Sequence, residues 1–99
     1  MINNIYTIEE LTELLHPIFQ ENKVKKAILF GSYARGEARV NSDIDLIIDS
    51  ELTGLDFFGL VENVHLVLKK RVDLINLRDL KKGSPIEEEI RTRGIRIYG

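Results

Sequence analysis

The sequence predicts an α/β (α+β) domain in which helices cover a small mixed β-sheet. Three observations lead there. Stretches with apolar residues three and four apart alternate with short apolar runs of strand length, the pattern of helices layered on a sheet. The helical stretches carry their own start and stop residues. Ninety-nine residues, 43% apolar and 30% charged, suffice for one core, so residues 1–99 are read as a single domain.

The first helix opens at Thr7 as N-cap, with Glu10 three residues on to complete a capping box and Tyr6 and Leu11 as a hydrophobic staple. Ile8, Leu11, Leu14, Leu15, Ile18 and Phe19 form its apolar stripe. Pro17 falls inside this pattern. It lacks an N–H and clashes with the preceding turn, which predicts a kink or break near residues 15–17 before the helix resumes to about Asn22.

Lys25 to Phe30 reads as a strand whose apolar half, Ala27 to Phe30, suits burial on both faces, as in a central strand. After the turn at Gly31, Ser32 to Glu37 reads as a short helix that Gly36 closes early. Asp43 to Asp49 is a second strand, with Ile44, Leu46 and Ile48 on one face and Asp43, Asp45, Ile47 and Asp49 on the other. Leu55 to Leu68 is apolar at helical period. Leu55, Phe58, Val61, Val64 and Leu68, widened by Phe57, Leu60 and Val67, are expected to lie across the sheet, and Gly59 to mark a close contact with another backbone.

Val72 to Asn76 is a third strand carrying Asp73, followed by a turn or helical piece from Leu77 to Lys82. Ser84, Pro85 and Glu87 open a last helix as N-cap, first helical residue and capping-box partner. Gly94 ends it, and Ile95 to Tyr98 is placed to pair as a final strand. Chain order alone leaves the strand order open.

The chemistry gathers between Phe30 and Leu46. Gly31-Ser32 ends an apolar run, and ten intervening residues later Asp43 and Asp45 open the next. A Gly-Ser turn at the start of a helix offers backbone N–H groups and a hydroxyl to an anion. Two carboxylates two apart on a strand point the same way and suit divalent cations. Either feature alone is more simply a turn or a solvated strand end. At average composition the two together arise by chance in roughly one chain in a thousand of this length, which favours a phosphate-and-metal site. Asp73 is a third acid for that site if its strand lies beside the second, and three gathered carboxylates call for cations because like charges raise each other's pKa. Arg35 and Arg39 are placed either to contact phosphates or, for Arg35, to bridge a nearby acid. Asp49 lies too far along the strand from Asp45 to share its metal. Tyr33 and Tyr98 read as packing or interface residues.

Composition narrows the alternatives. Fourteen basic against sixteen acidic residues give a net charge of -2, and the basic residues fall in small groups, so direct nucleic-acid binding is not expected. Without cysteine there are no disulfides, thiolate metal sites or thiol nucleophiles. His16 and His65 lack partners at metal-ligand spacing and read as helix surface or edge residues. No signal peptide or apolar run of membrane-spanning length is present, so no membrane partner and a cytoplasmic location are expected.

Gly31-Ser32, ten residues, Asp43-x-Asp45 and a later Asp73 in an apolar strand resemble the polymerase-beta-type nucleotidyltransferases. Phe30-Gly31-Ser32-Tyr33-Ala34-Arg35-Gly36-Glu37-Ala38 with Ser42-Asp43-Ile44-Asp45-Leu46 is similar, within that superfamily, to the minimal nucleotidyltransferase (MNT) antitoxins paired with HEPN toxins. The likeness continues through Arg71-Val72-Asp73-Leu74 and Ile97-Tyr98.

This resemblance implies two-metal transfer of AMP from ATP to a hydroxyl. Asp43 and Asp45 would hold two Mg²⁺ ions, and Asp73 would complete the acceptor-side metal and take the hydroxyl proton. Gly31 and Ser32 would hold the leaving pyrophosphate, with Arg35 as a further phosphate contact. Larger members of the superfamily bind their acceptor with a second domain, so a chain of this length is expected to rely on a surface supplied by its partner. The implied partner is a cognate HEPN ribonuclease toxin, silenced by adenylylation of a tyrosine. Transfer to a small-molecule hydroxyl with a helical partner chain, and a binding-only antitoxin, are the rival readings.

Overall fold

The computed structural model describes residues 5–99. Their order is α1 (Ile8–Glu21), β1 (Lys26–Phe30), α2 (Gly31–Arg35), β2 (Ile44–Asp49), α3 (Gly54–Leu68), β3 (Val72–Asn76), a single 3₁₀ turn (Leu77–Asp79), α4 (Pro85–Arg93) and β4 (Ile95–Tyr98). The sheet runs β3-β2-β1-β4. β1 pairs antiparallel with both β2 and β4, while β2 and β3 are parallel, so the sheet is mixed and β1 is internal.

Strand parity divides the core. Ala27 and Leu29 of β1 and Ile44, Leu46 and Ile48 of β2 face α1 and α3, where they join Leu11, Leu15, Phe19, Leu60, Val64 and Leu68 in the main cluster. The opposite face carries a smaller buried group, Phe30, Ile47 and Ile90, covered by α4. That face also bears the odd-numbered acids of β2, so the carboxylates stand on the thinly covered side of the sheet.

α1 has the expected capping box: Glu10 N donates to Thr7 Oγ1 and Thr7 N to Glu10 Oε1. The break expected near Pro17 does not occur, and the helix runs through it. Leu11, Leu15, Ile18 and Phe19 are all buried along one stripe, which holds both halves in place. The carbonyl that Pro17 leaves without a partner belongs to Glu13, an exposed residue, where water can satisfy it.

α3 departs further from expectation. It buries Leu60, Val64 and Leu68, with Phe57 packed beside them, but Leu55, Phe58 and Val67 of the expected core face are exposed, as is Leu66. A helix apolar around most of its circumference does not specify one face, and the sheet takes only one stripe. Gly59 likewise has open space where a Cβ would stand rather than a close neighbour. At α4, Ser84 Oγ accepts from Glu87 N as expected, but the Glu87 carboxylate accepts from Gly83 N instead of closing the box on Ser84. α4 ends at Gly94, where only glycine fits, since a Cβ there would collide with the Ile90 carbonyl and the Ile28 side chain.

Candidate active site

The β1–α2 junction and the start of β2 meet at one end of the sheet. Phe30 is paired with Asp45 in the β1–β2 register, so the chain leaves β1 and turns at Gly31 directly beside that acid. Gly31 has φ +74°, and a Cβ there would collide with Asp45 Oδ2. Glycine is therefore needed twice over, for the left-handed backbone and for the approach of the carboxylate. The short α2 that follows is closed by Gly36, also left-handed, at its C-cap.

β3 lies beside β2, and Asp45 is the register partner of Asp73. Neighbouring residues on paired strands share a face, so these two carboxylates stand side by side, with Asp43 one pleat away. Their mutual repulsion shows in Asp45, whose carboxyl is pushed up to about 6. Burial contributes most, followed by the negative charges of Asp73, Asp43 and Glu89. Asp43 has only a loose, exposed contact with Arg71, 4.0 Å away.

A divalent cation fits this chemistry: oxygen donors only, and more negative charge than the site can settle by itself. Among the described residues, no three acidic or histidine side chains stand close enough together to hold one ion. As the carboxylates stand, an ion would take one or two of them and complete its shell with water or phosphate oxygens, the usual habit of Mg²⁺. Asp49 lies at the far end of β2, paired with Lys26 and outside the site.

Arg35 takes the internal bridge. Its Nη1 donates to Glu89 Oε2 at 2.7 Å and its Nε to Glu37 Oε1 at 2.9 Å. Gly31 N donates to that same Glu89 oxygen at 3.0 Å. Glu89, in the middle of α4, is the residue that sequence reasoning missed. Its helix is legible from its caps, but nothing local says that α4 packs against the β1–α2 junction. Arg39 is exposed, and its backbone N–H donates to Ser42 Oγ.

The histidines and tyrosines stay outside. His16 and Phe19 pack edge-on against Tyr98, Tyr33 is buried in the main cluster, and His65 bonds the Val72 carbonyl, tying α3 to β3. No helix among the described residues is long and apolar enough to cross a membrane.

This end of the sheet is thus a carboxylate cluster beside a glycine turn whose amide is held by Glu89, on a mixed four-stranded sheet. The polymerase beta nucleotidyltransferase family model matches residues 13–99, and the chain belongs to that family. It is 37% identical over 83 residues to the protein adenylyltransferase MntA of Thermococcus cleftensis, covering 78% of this chain and 84% of that one. Among solved structures, a toxin–antitoxin complex with AMP-PNP superposes with a TM-score of 0.76 at 26% identity, over 89% of this chain and 73% of that chain. A chain of the complex between tri-AMPylated Shewanella oneidensis HEPN toxin and MNT antitoxin shares the fold, with a TM-score of 0.72 at 22% identity over 94% of this chain and 73% of that chain.

Proposed function

We propose that this protein is an antitoxin that transfers AMP from ATP to a tyrosine hydroxyl of a cognate HEPN toxin and so neutralises it. The observation that carries the reading is the pairing of Asp45 with Asp73 beside the Gly31-Ser32 turn, with Asp43 next along the strand. The names of the relatives, a protein adenylyltransferase and chains solved with toxins, support the choice of acceptor.

In this reading Asp43 and Asp45 would hold two Mg²⁺ ions, and Asp73 would complete the acceptor-side site once an ion draws the carboxylates closer than they stand without it. When bound, the metal would supply charge neutralisation for the triphosphate and would lower the pKa of the attacking hydroxyl. Asp73 receives the hydroxyl proton as the tyrosine oxygen bonds to the α-phosphorus and the bond to the β-phosphate oxygen breaks. Gly31 N–H and the Ser32 hydroxyl donate to the departing pyrophosphate, where negative charge grows. Arg35 turns to the phosphates once Glu89 lets it go.

The test is to incubate the protein with the toxin encoded next to it, ATP and Mg²⁺, and to weigh the intact toxin. The expected result is a mass gain of one or more AMP units, mapped to a tyrosine and absent with Asp45→Asn. An unmodified toxin overturns the reading, and a small molecule adenylylated in its place would replace it.

A further inference from the structure

Glu89 holds the groups that a triphosphate would need. A single oxygen of its carboxylate, Oε2, receives both the Gly31 N–H and Arg35 Nη1. Two donors converging on one anionic oxygen is how a non-bridging phosphate oxygen is bound, and both bonds are of the strong, charge-assisted kind. Asp45 packs against Gly31 as well. An anion seated between the carboxylate-bound metal and the Gly31 amide would therefore meet the Glu89 carboxylate.

Resting on the nucleotide-binding reading above, we propose that Glu89 is an internal place-holder for phosphate: ATP displaces it from the Gly31 N–H and takes over Arg35. The fold gives the displaced carboxylate somewhere to go. Arg93 lies four residues on in α4, and an acid N-terminal to a base at that spacing is the favourable orientation of a helical pair. A cleft of about 320 Å³ opens beside the Arg35–Glu89 pair, lined by both of these and by Arg93. Glu89 thus keeps Arg35 and the turn in position while the site is empty, and its release sets how tightly the triphosphate binds. A purely structural tie makes the opposite prediction, because loosening the turn would weaken binding.

The experiment is calorimetric titration of the full chain with Mg·ATP and with magnesium pyrophosphate, comparing wild type, Glu89→Gln, Glu89→Ala and Glu88→Gln. Glu88 lines the same cleft but makes no bond to Gly31, so its variant carries the same charge change without the displaced contact. Tightening by about tenfold in both Glu89 variants, with Glu88→Gln within about twofold of wild type, is the expected result. Unchanged or weaker binding in a Glu89 variant that melts like wild type overturns the proposal. So does equal tightening in Glu88→Gln, which would make the effect one of overall charge. Should Glu89→Ala melt lower, Glu89→Gln alone decides. A wild-type chain that binds neither ligand removes the nucleotide-binding reading itself and the proposal with it, a result distinct from failure of the Glu89 variants alone.

Discussion

The two faces of β2 serve opposite ends. Ile44, Leu46 and Ile48 are fully buried under α1 and α3, while Asp45, between them in sequence, stands on the other face against Asp73. One face stabilises the domain by removing apolar surface from water, and the other stores repulsion that only a cation or a proton relieves. A six-residue strand therefore carries both fully buried packing and unfavourable electrostatics, and single substitutions can separate the two.

The largest separation is expected from Asp45→Asn. Transfer activity should fall by about a thousandfold or more, equivalent to ~4 kcal/mol of transition-state stabilisation, while the metal-free protein melts at a higher temperature than wild type. Radiolabelled AMP transfer and thermal denaturation on the same preparation check both signs. A melting point that drops would show that Asp45 supports the fold after all.

Leu46→Ala tests the other face. Removing a fully buried side chain is expected to destabilise by about 3 kcal/mol and to lower Tm by more than about 10 °C. Below that lowered Tm, activity per folded molecule should be retained, and urea unfolding combined with an activity assay reads the two quantities apart.

The glycines sharpen the comparison further. Gly31→Ala forces a side chain into left-handed backbone and into Asp45 Oδ2, so a loss of about 1 to 2 kcal/mol is expected together with a much larger loss of transfer, as the carboxylate is pushed aside. Gly59→Ala meets open space in the middle of α3 and should raise stability by up to about 1 kcal/mol with transfer unchanged. The same substitution is thus expected to act in opposite directions at the two sites, and parallel denaturant melts would reveal a failure of either.

The smallest effect is one of pH. Asp45 has a folded-state pKa of about 6, above its unfolded value, so between roughly pH 4 and 6 the native state binds the extra proton. Stability of the metal-free protein should accordingly be greater at the acidic end of that window and decline as pH rises through it. Because the carboxyl remains partly open to water, the change should be about 1 kcal/mol. It is isolated as the difference between wild type and Asp45→Asn in denaturant titrations at several pH values without divalent ions; identical profiles would contradict it.

Much of this molecule is written locally. The period-2 parity of residues 43–49 assigns the acids and the apolar residues of β2 to opposite faces, and the capping box at Thr7 and the N-cap at Ser84 mark helix starts, because each depends on residues a few positions apart whose geometry the backbone sets. The Gly31-Ser32 and Asp43-Asp45 elements are legible for the same reason. What the tertiary structure alone decided involves distant segments: β3 placed parallel beside β2, so that Asp73 faces Asp45; α4 brought against Gly31, so that Glu89 holds its amide; the one stripe of α3 that the sheet accepts; and the packing that carries α1 through Pro17. Local spacing is fixed by the repeat of a helix or strand, whereas the meeting of residues far apart in the chain, such as Gly31 and Glu89, depends on strand order and helix docking, which are chosen by the total burial of the domain and not by any one segment.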